Sequence, residues 1–165
     1  MKIKKCRNCQ SKKIKRVFSL GNIFYTGKFT KANVDPRKGP INVVICENCT
    51  LVQLENNFDL NYMYGQDYGY RTGINKTMTL HVKNVVKILS IKTQIKKHDL
   101  ALDIASNDGT LLNFYKNGIT TFGIDPVIKK YLKNYKKIKY KVSDFFSAEK
   151  VKQVTNKKFK IITAL

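Results

Sequence analysis

The sequence predicts an α/β protein: a small amino-terminal zinc-binding module followed by an incomplete Rossmann-like parallel sheet with helices. Three observations predict it. All four cysteines fall in two Cys-x-x-Cys pairs, Cys6/Cys9 and Cys46/Cys49. From Leu100 onward, short apolar runs of strand character alternate with helical patterns, the signature of a doubly wound sheet. Between the first such run and the segment after it lies a sharp turn of small and polar residues, Ala105-Ser106-Asn107-Asp108-Gly109. The chain has 165 residues, about one ordinary domain, and 42% of them are apolar. That content can bury a core and excludes fibrous and disordered classes. No stretch approaches the ~20 apolar residues of a membrane helix, and no apolar segment follows the charged start Met1-Lys-Ile-Lys-Lys-Cys6. The reading is a soluble cytoplasmic protein with no membrane partner.

Residues 1–57 form the metal-stapled module, with Cys pairs at each end and short apolar runs at Val17-Phe18 and Val43-Val44-Ile45. A polar turn is expected over Asp35-Pro36-Arg37-Lys38-Gly39-Pro40. Residues 58–98 are an aromatic linker and a helix. The stretch 58–74 is rich in Tyr and Gly without a clear period and reads as a loop. The helix starts after Asn75, a good N-cap, and sets Met78, Val82, Val85, Val86 and Leu89 on one face.

Residues 99–165 read as the first half of the sheet domain. Leu100–Ile104 is a buried strand, 108–117 a helix stopped by Gly118, and Thr121–Ile124 the next strand. Pro126 opens a helix whose apolar face is Ile128, Tyr131, Leu132 and Tyr135. Tyr140–Val142 and Phe159–Leu165 are further strands, with a short helix at Ala148–Val154 between them. The chain stops within the apolar run Ile161–Leu165 with no helix after it to cover that strand. A parallel strand is normally buried on both faces, so the expectation is an interrupted domain whose open edge favours self-association or awaits a missing carboxy-terminal half.

Tetrahedral zinc needs four thiolates at about 2.3 Å, and two tight Cys-x-x-Cys turns supply them. The 36 residues between Cys9 and Cys46 make an elaborated ribbon. A redox pair or disulfides are the alternatives; disulfides fit poorly in a cytoplasmic chain. Two pairs with no cysteine left over favour structural zinc on Cys6, Cys9, Cys46 and Cys49, with no open position for catalysis.

The net charge is +21, from 32 basic and 11 acidic residues. A nucleic-acid partner is the reflex reading. Yet 28 of the basic residues are Lys and only 4 are Arg, whereas base and phosphate recognition favours the bidentate Arg fork. The excess is also spread, +11 over 1–40, +2 over 41–99 and +8 over 100–165. A solvated basic surface is the better account, one that still favours phosphorylated ligands.

The turn after the first strand brings backbone close to a ligand. It lacks the Gly-x-Gly-x-x-Gly of a dinucleotide site. Its spacing fits instead an acidic-x-Gly-x-Gly-x-Gly loop that binds S-adenosyl-L-methionine, here Asp103, Ala105, Asn107 and Gly109 with Ser106 between. Asp125, 22 residues after Asp103, ends the second strand where a ribose diol would lie. Asp144 and Phe145 end the third, an acid and an aromatic suited to an adenine ring. The rival reading makes Asp103, Asp125 and Asp144 plain strand-end caps; their recurrence at the ligand-binding edge of successive parallel strands argues for the cofactor.

The combination resembles the nucleotide-sugar C-methyltransferases. The residues that carry the resemblance are Cys6-Arg-Asn-Cys9, Leu20-Gly21, Pro40-Ile-Asn-Val-Val-Ile-Cys46-Glu-Asn-Cys49-Thr-Leu-Val-Gln-Leu54, Tyr68-Gly-Tyr70-Arg-Thr-Gly-Ile-Asn75 with His81, Asp103-Ile-Ala-Ser-Asn-Asp-Gly-Thr-Leu-Leu112 and Gly123-Ile-Asp-Pro126. They occur in order along the whole chain. Ala105 departs from the glycine of many relatives. The resemblance implies a zinc module joined to a methyltransferase domain that methylates the carbon beside a keto group on a nucleotide-linked deoxysugar. It places Tyr70 and His81 near the cofactor and the catalytic base beyond Leu165, so that this piece is inactive alone and no catalytic residue is assigned within it. His81, Tyr68 and Tyr70 have a plainer reading as packing residues, and His98 reads as a surface residue. The competing functions are a zinc-ribbon nucleic-acid binder and a methyltransferase for another small molecule or RNA.

Overall fold

A computed structural model describes residues 1–25 and 37–165. They form two compact units, Met1–Tyr64 and Gly65–Leu165. The Asp35-Pro36 half of the expected turn lies outside the described residues.

The first unit is a three-stranded antiparallel sheet in the order β1 (Ile14–Phe24), β2 (Lys38–Cys46), β3 (Val52–Leu54). Lys38, Gly39 and Pro40, expected in a turn, begin β2 and pair with Phe24, Ile23 and Asn22. Pro40 is tolerated because it stands next to an irregularity, where the ladder between Ser19 and Asn22 slips register. Along β2 the buried positions Asn42, Val44 and Cys46 alternate as a half-buried strand requires. β1 does not follow suit: bulges at 16–18 and 19–22 break the alternation, and Val17, Phe18, Leu20, Ile23 and Phe24 stay exposed. A short helix α1 (Leu60–Tyr64) occupies part of the stretch read as loop. Asp59 starts it by accepting from the backbone N–H groups of Asn61 and Tyr62.

The second unit is built on a four-stranded, all-parallel sheet: β4 (Leu100–Ile104), β5 (Thr120–Ile124), β6 (Tyr140–Val142) and β7 (Ile161–Ala164), in the order β6-β5-β4-β7. Together with the helices on both faces, this is the mixed α/β, Rossmann-like architecture the sequence predicts. α2 (Lys76–Thr93) begins where expected, with Asn75 accepting from the Met78 N–H at 2.9 Å. Val82 and Val86 bury its inner face, beside Ala101 and Ile161 of the sheet. α3 (Ala148–Val154), capped by Ser147, sends Val151 to the opposite face, against Leu102, Phe122 and Ile124. Neighbouring residues of β4 thus serve opposite cores, which is why that strand reads as one continuous apolar run.

Two expected helices differ. The segment 108–117 holds only a single 3-10 turn, Leu112–Phe114. Gly109 at φ +76 prevents a helix from starting earlier, and Tyr115 turns extended to bury its ring in the core. Pro126–Tyr135 is 3-10 throughout and breaks at Tyr131 (φ −117, ψ 23). That break allows both Ile128 and Tyr135 into the core while Leu132, expected on the apolar face, remains 53% exposed. A further 3-10 turn, Thr72–Ile74, lies in the stretch read as loop. Among the described residues, no helix is long and apolar enough to cross a membrane.

Candidate functional site

Each Cys-x-x-Cys pair folds into the same knuckle. Cys6 N–H donates to Ser11 O and Gln10 N–H to Cys6 O; Cys46 N–H donates to Leu51 O and Thr50 N–H to Cys46 O. Gln10 and Thr50, one residue past each pair, both adopt the left-handed conformation at φ +60 and +59. That bend returns the chain so that both sulfurs of a pair face one point. The ligand atoms of Cys6, Cys9, Cys46 and Cys49 all lie within 4.8 Å of one another. Cys6 and Cys46 are buried, and Cys9 and Cys49 are half-buried.

Donors surround the sulfurs: Gln53 Nε2 approaches Cys6 Sγ at 3.2 Å and Asn48 Nδ2 approaches Cys9 Sγ at 3.5 Å. Backbone N–H groups of its knuckle, led by that of Cys9, hold the Cys6 thiol down at about 6. Four converging sulfurs with N–H donors behind them are the donor set of a structural zinc site.

In the second unit β5 and β6 extend from β4 on one side, and β7 returns to its other side. Ligands of open parallel sheets bind at the carboxyl ends of strands where the order reverses, here β4 and β7. The loop leaving β4 lies at that edge. Three alternate residues of it, Ala105 (φ +56), Asn107 (φ +49) and Gly109 (φ +76), are left-handed. These are the positions at which the acidic-x-Gly-x-Gly-x-Gly spacing places glycine. The backbone therefore keeps the glycine shape although only one glycine remains. Asn tolerates it; Ala adopts it under strain.

The surroundings hold that shape. Ser106 Oγ and Tyr135 Oη lie 2.8 Å apart, and the phenol donates to Asn107 O at 3.0 Å. Gly123 of β5 permits this approach, since a Cβ there would stand 2.8 Å from Ser106 Oγ and 2.9 Å from the Tyr135 ring. Asp125 accepts the Asn107 N–H on one oxygen (2.9 Å) and the Val127 N–H on the other (2.8 Å). It both caps the 3-10 segment and props the loop. A carboxylate has about four acceptor sites, so acceptor capacity remains for a diol. Burial raises its pKa, and the two N–H donors oppose the rise. Asp103 is more deeply buried and accepts from Thr163 Oγ1 of β7 at 2.6 Å. Burial first, with the nearby Asp125 charge adding, pushes it up to about 7 against the opposing Thr163 bond.

The sequence reading left Asp108 without a role, yet it organises a second set of contacts. It is 1% exposed and accepts from Arg71 Nε (2.9 Å), Gly73 N–H (3.1 Å) and both the N–H and hydroxyl of Thr110. Asn107 takes the Thr72 N–H and gives its amide to Tyr70 O. Residues 70–73 thus lie strapped to the loop. The sequence offers one sign of this: Gly73, where a Cβ would meet Asp108 Oδ2 and Thr110 Oγ1 at 2.6 Å each.

Tyr70 joins the site through its backbone, while its ring, 41% exposed, stands 6.2 Å from that of Tyr68. Asp144 lies at the end of β6, half-exposed and ion-paired with Lys150, whose ammonium lowers its pKa; Phe145 is half-buried beside it. His81 is exposed on α2, on the turn next to buried Val82, and among the described residues makes none of these contacts.

The comparisons bear on the first unit. A family model described as "Putative zinc binding domain", Methyltransf_13, matches residues 6–64. The amino-terminal unit is similar to a methyltransferase-associated zinc-binding domain. The matched span contains all four cysteines and runs to the end of α1. No curated protein matches the chain.

Proposed function

We propose that the chain is an S-adenosylmethionine-dependent methyltransferase whose first unit is held by structural zinc, and that it belongs to the carbon methylation of a nucleotide-linked keto-deoxysugar. The observation that carries the reading is the run of alternating left-handed residues 105, 107 and 109 at the reversal point of a parallel sheet, in a chain with a methyltransferase-associated zinc domain. The loop residues fit the cofactor. Backbone at Ser106–Gly109 would hold its methionine end, Asp125 the ribose hydroxyls, and Asp144 with Phe145 the adenine. The Tyr70–Gly73 strap, fixed by Asp108 and Asn107, would wall the same edge. When bound, the cofactor supplies an electrophilic methyl group. The chain's part is to orient it and to offer Asp125 as an acceptor at this edge. For the sugar, the resemblance over the whole sequence is the support, together with a positive field suited to a diphosphate.

Calorimetric titration of the whole chain with S-adenosylmethionine and its demethylated product tests the cofactor. The wild type should bind both, and Asp125→Asn should bind about 1–3 kcal/mol more weakly, roughly 5- to 150-fold. Equal affinities would leave Asp125 as a strand-end cap alone. No binding by the wild type would remove the cofactor from the proposal. Transfer of labelled methyl to RNA in place of a keto-sugar nucleotide would replace the substrate.

A further inference from the structure

A cavity of about 640 Å³ opens between one flank of α2 and the segment from Phe114 to Ile119, and among the described residues none of the strand-end loop lines it. Its volume lies within the range of small-molecule sites. The floor is apolar, made by Val86, Ile95, Phe114 and Ile119. Leu80 and Ile91 mark its ends on α2 and stand 55% and 67% exposed, so the apolar track runs about 16 Å along the helix.

The rim is of one sign. Lys83 and Lys87 enter it from successive turns of α2, and Lys116 from the facing segment; among the described residues no acidic one lines it. Among the described residues these three ammonium groups have no hydrogen-bond or ion-pair partner. α2 contains no Asp or Glu at all, so the i, i+4 repulsion between Lys83 and Lys87 goes uncompensated within the helix. An apolar trough rimmed by unpaired cations complements one ligand chemistry. We infer that this cavity binds a small amphiphilic anion, an extended apolar chain or ring system with a carboxylate, sulfate or phosphate head. The body lies on the floor between Leu80 and Ile91, and the head sits among Lys83, Lys87 and Lys116. This site is separate from the proposed methyl-donor edge and does not depend on it.

The probe is dodecanoate, titrated calorimetrically into the whole chain below its micelle concentration. The wild type should bind one equivalent saturably, and dodecyltrimethylammonium should neither bind nor compete. The double variants Lys83→Gln/Lys87→Gln and Lys83→Glu/Lys87→Glu should weaken binding about tenfold or more, because two of the three rim charges are removed or inverted. Lys136→Glu/Lys137→Glu, which changes the net charge as much as the rim glutamate pair but away from the cavity, should bind like the wild type. Circular dichroism should show every variant folded, since all four side chains are exposed. The inference fails if the wild type shows no saturable binding, if the cationic amphiphile binds equally well, or if the control variant loses as much as the rim variants.

Discussion

Ala105 is the sharpest place to test the account of the strand-end loop. It is an alanine at φ +56, and its side chain is exposed, so its methyl group adds little packing to offset the strained backbone. A left-handed conformation costs a non-glycine residue about 1–2 kcal/mol. Glycine removes that cost but widens the unfolded ensemble by about 0.4–1 kcal/mol. The balance for Ala105→Gly is a net stabilisation of about 0.5–1 kcal/mol. In a unit of roughly 100 residues that raises the unfolding midpoint by about 3–6 °C. Ala105→Val moves the other way, because a branched Cβ is more crowded in this conformation, with a loss of about 1–2 kcal/mol. The assay is thermal and urea unfolding of zinc-saturated protein followed by circular dichroism, with all three proteins in one buffer. A lower midpoint for the glycine variant, or a valine variant as stable as the wild type, would refute the claim that the surroundings impose this backbone.

Asp103 should make stability depend on pH. Its folded pKa of about 7 lies above the ordinary carboxylate value, so the folded state holds the extra proton. The associated stability is full below about pH 4 and is lost as pH rises through about 7. Measured against Asp103→Asn, the wild type should lose about 4 kcal/mol between those limits, and a gap that does not change with pH would count against the buried carboxylate. Cys46→Ser should abolish retention of about one zinc per chain by metal analysis, because three thiolates leave the shell open; undiminished zinc would remove Cys46 from the ligand set. Gly73→Ala should detach the strap from Asp108, since the added Cβ would stand 2.6 Å from both Asp108 Oδ2 and Thr110 Oγ1. The readout is faster amide exchange at Thr72 and Gly73, and unchanged protection there would show that the strap is not held by this contact.

What could be read in the sequence was what local chemistry decides. Asn75 and Ser147 begin α2 and α3 because a side-chain oxygen can take the first free N–H groups. β4, β5 and β6 follow from short apolar and β-branched runs between turn residues. The four cysteines announced their cluster by spacing alone. What could not be read was set by distant partners. At position 105 only the glycine spacing of the loop hints at a left-handed backbone; the alanine itself does not, and the conformation depends on Ser106, Tyr135 and Asp125 holding the residues that follow it. Asp108 looks like a helix-starting residue, but its partner is Arg71, far back in the chain, and the helix expected after it is reduced to one 3-10 turn, Leu112–Phe114, beyond Gly109. His81 is placed near the cofactor by resemblance alone, and the α2 register leaves it exposed beside buried Val82.

The twin knuckles have a kinetic consequence. Each is closed by its own short-range backbone bonds, so each pair of sulfurs is a ready-made two-toothed clasp before the metal arrives. Once one clasp has captured the ion, the second meets it intramolecularly, at an effective concentration set by how firmly the ladder from Ile14 to Cys46 keeps the ends together. Release would run the same path backwards, one clasp at a time, with the half-buried sulfur of each clasp, Cys9 or Cys49, the more open to water. A chelator would then wait on the fraying of the β1–β2 end. Metal exchange would report the opening of that hairpin rather than the strength of any single sulfur–metal bond.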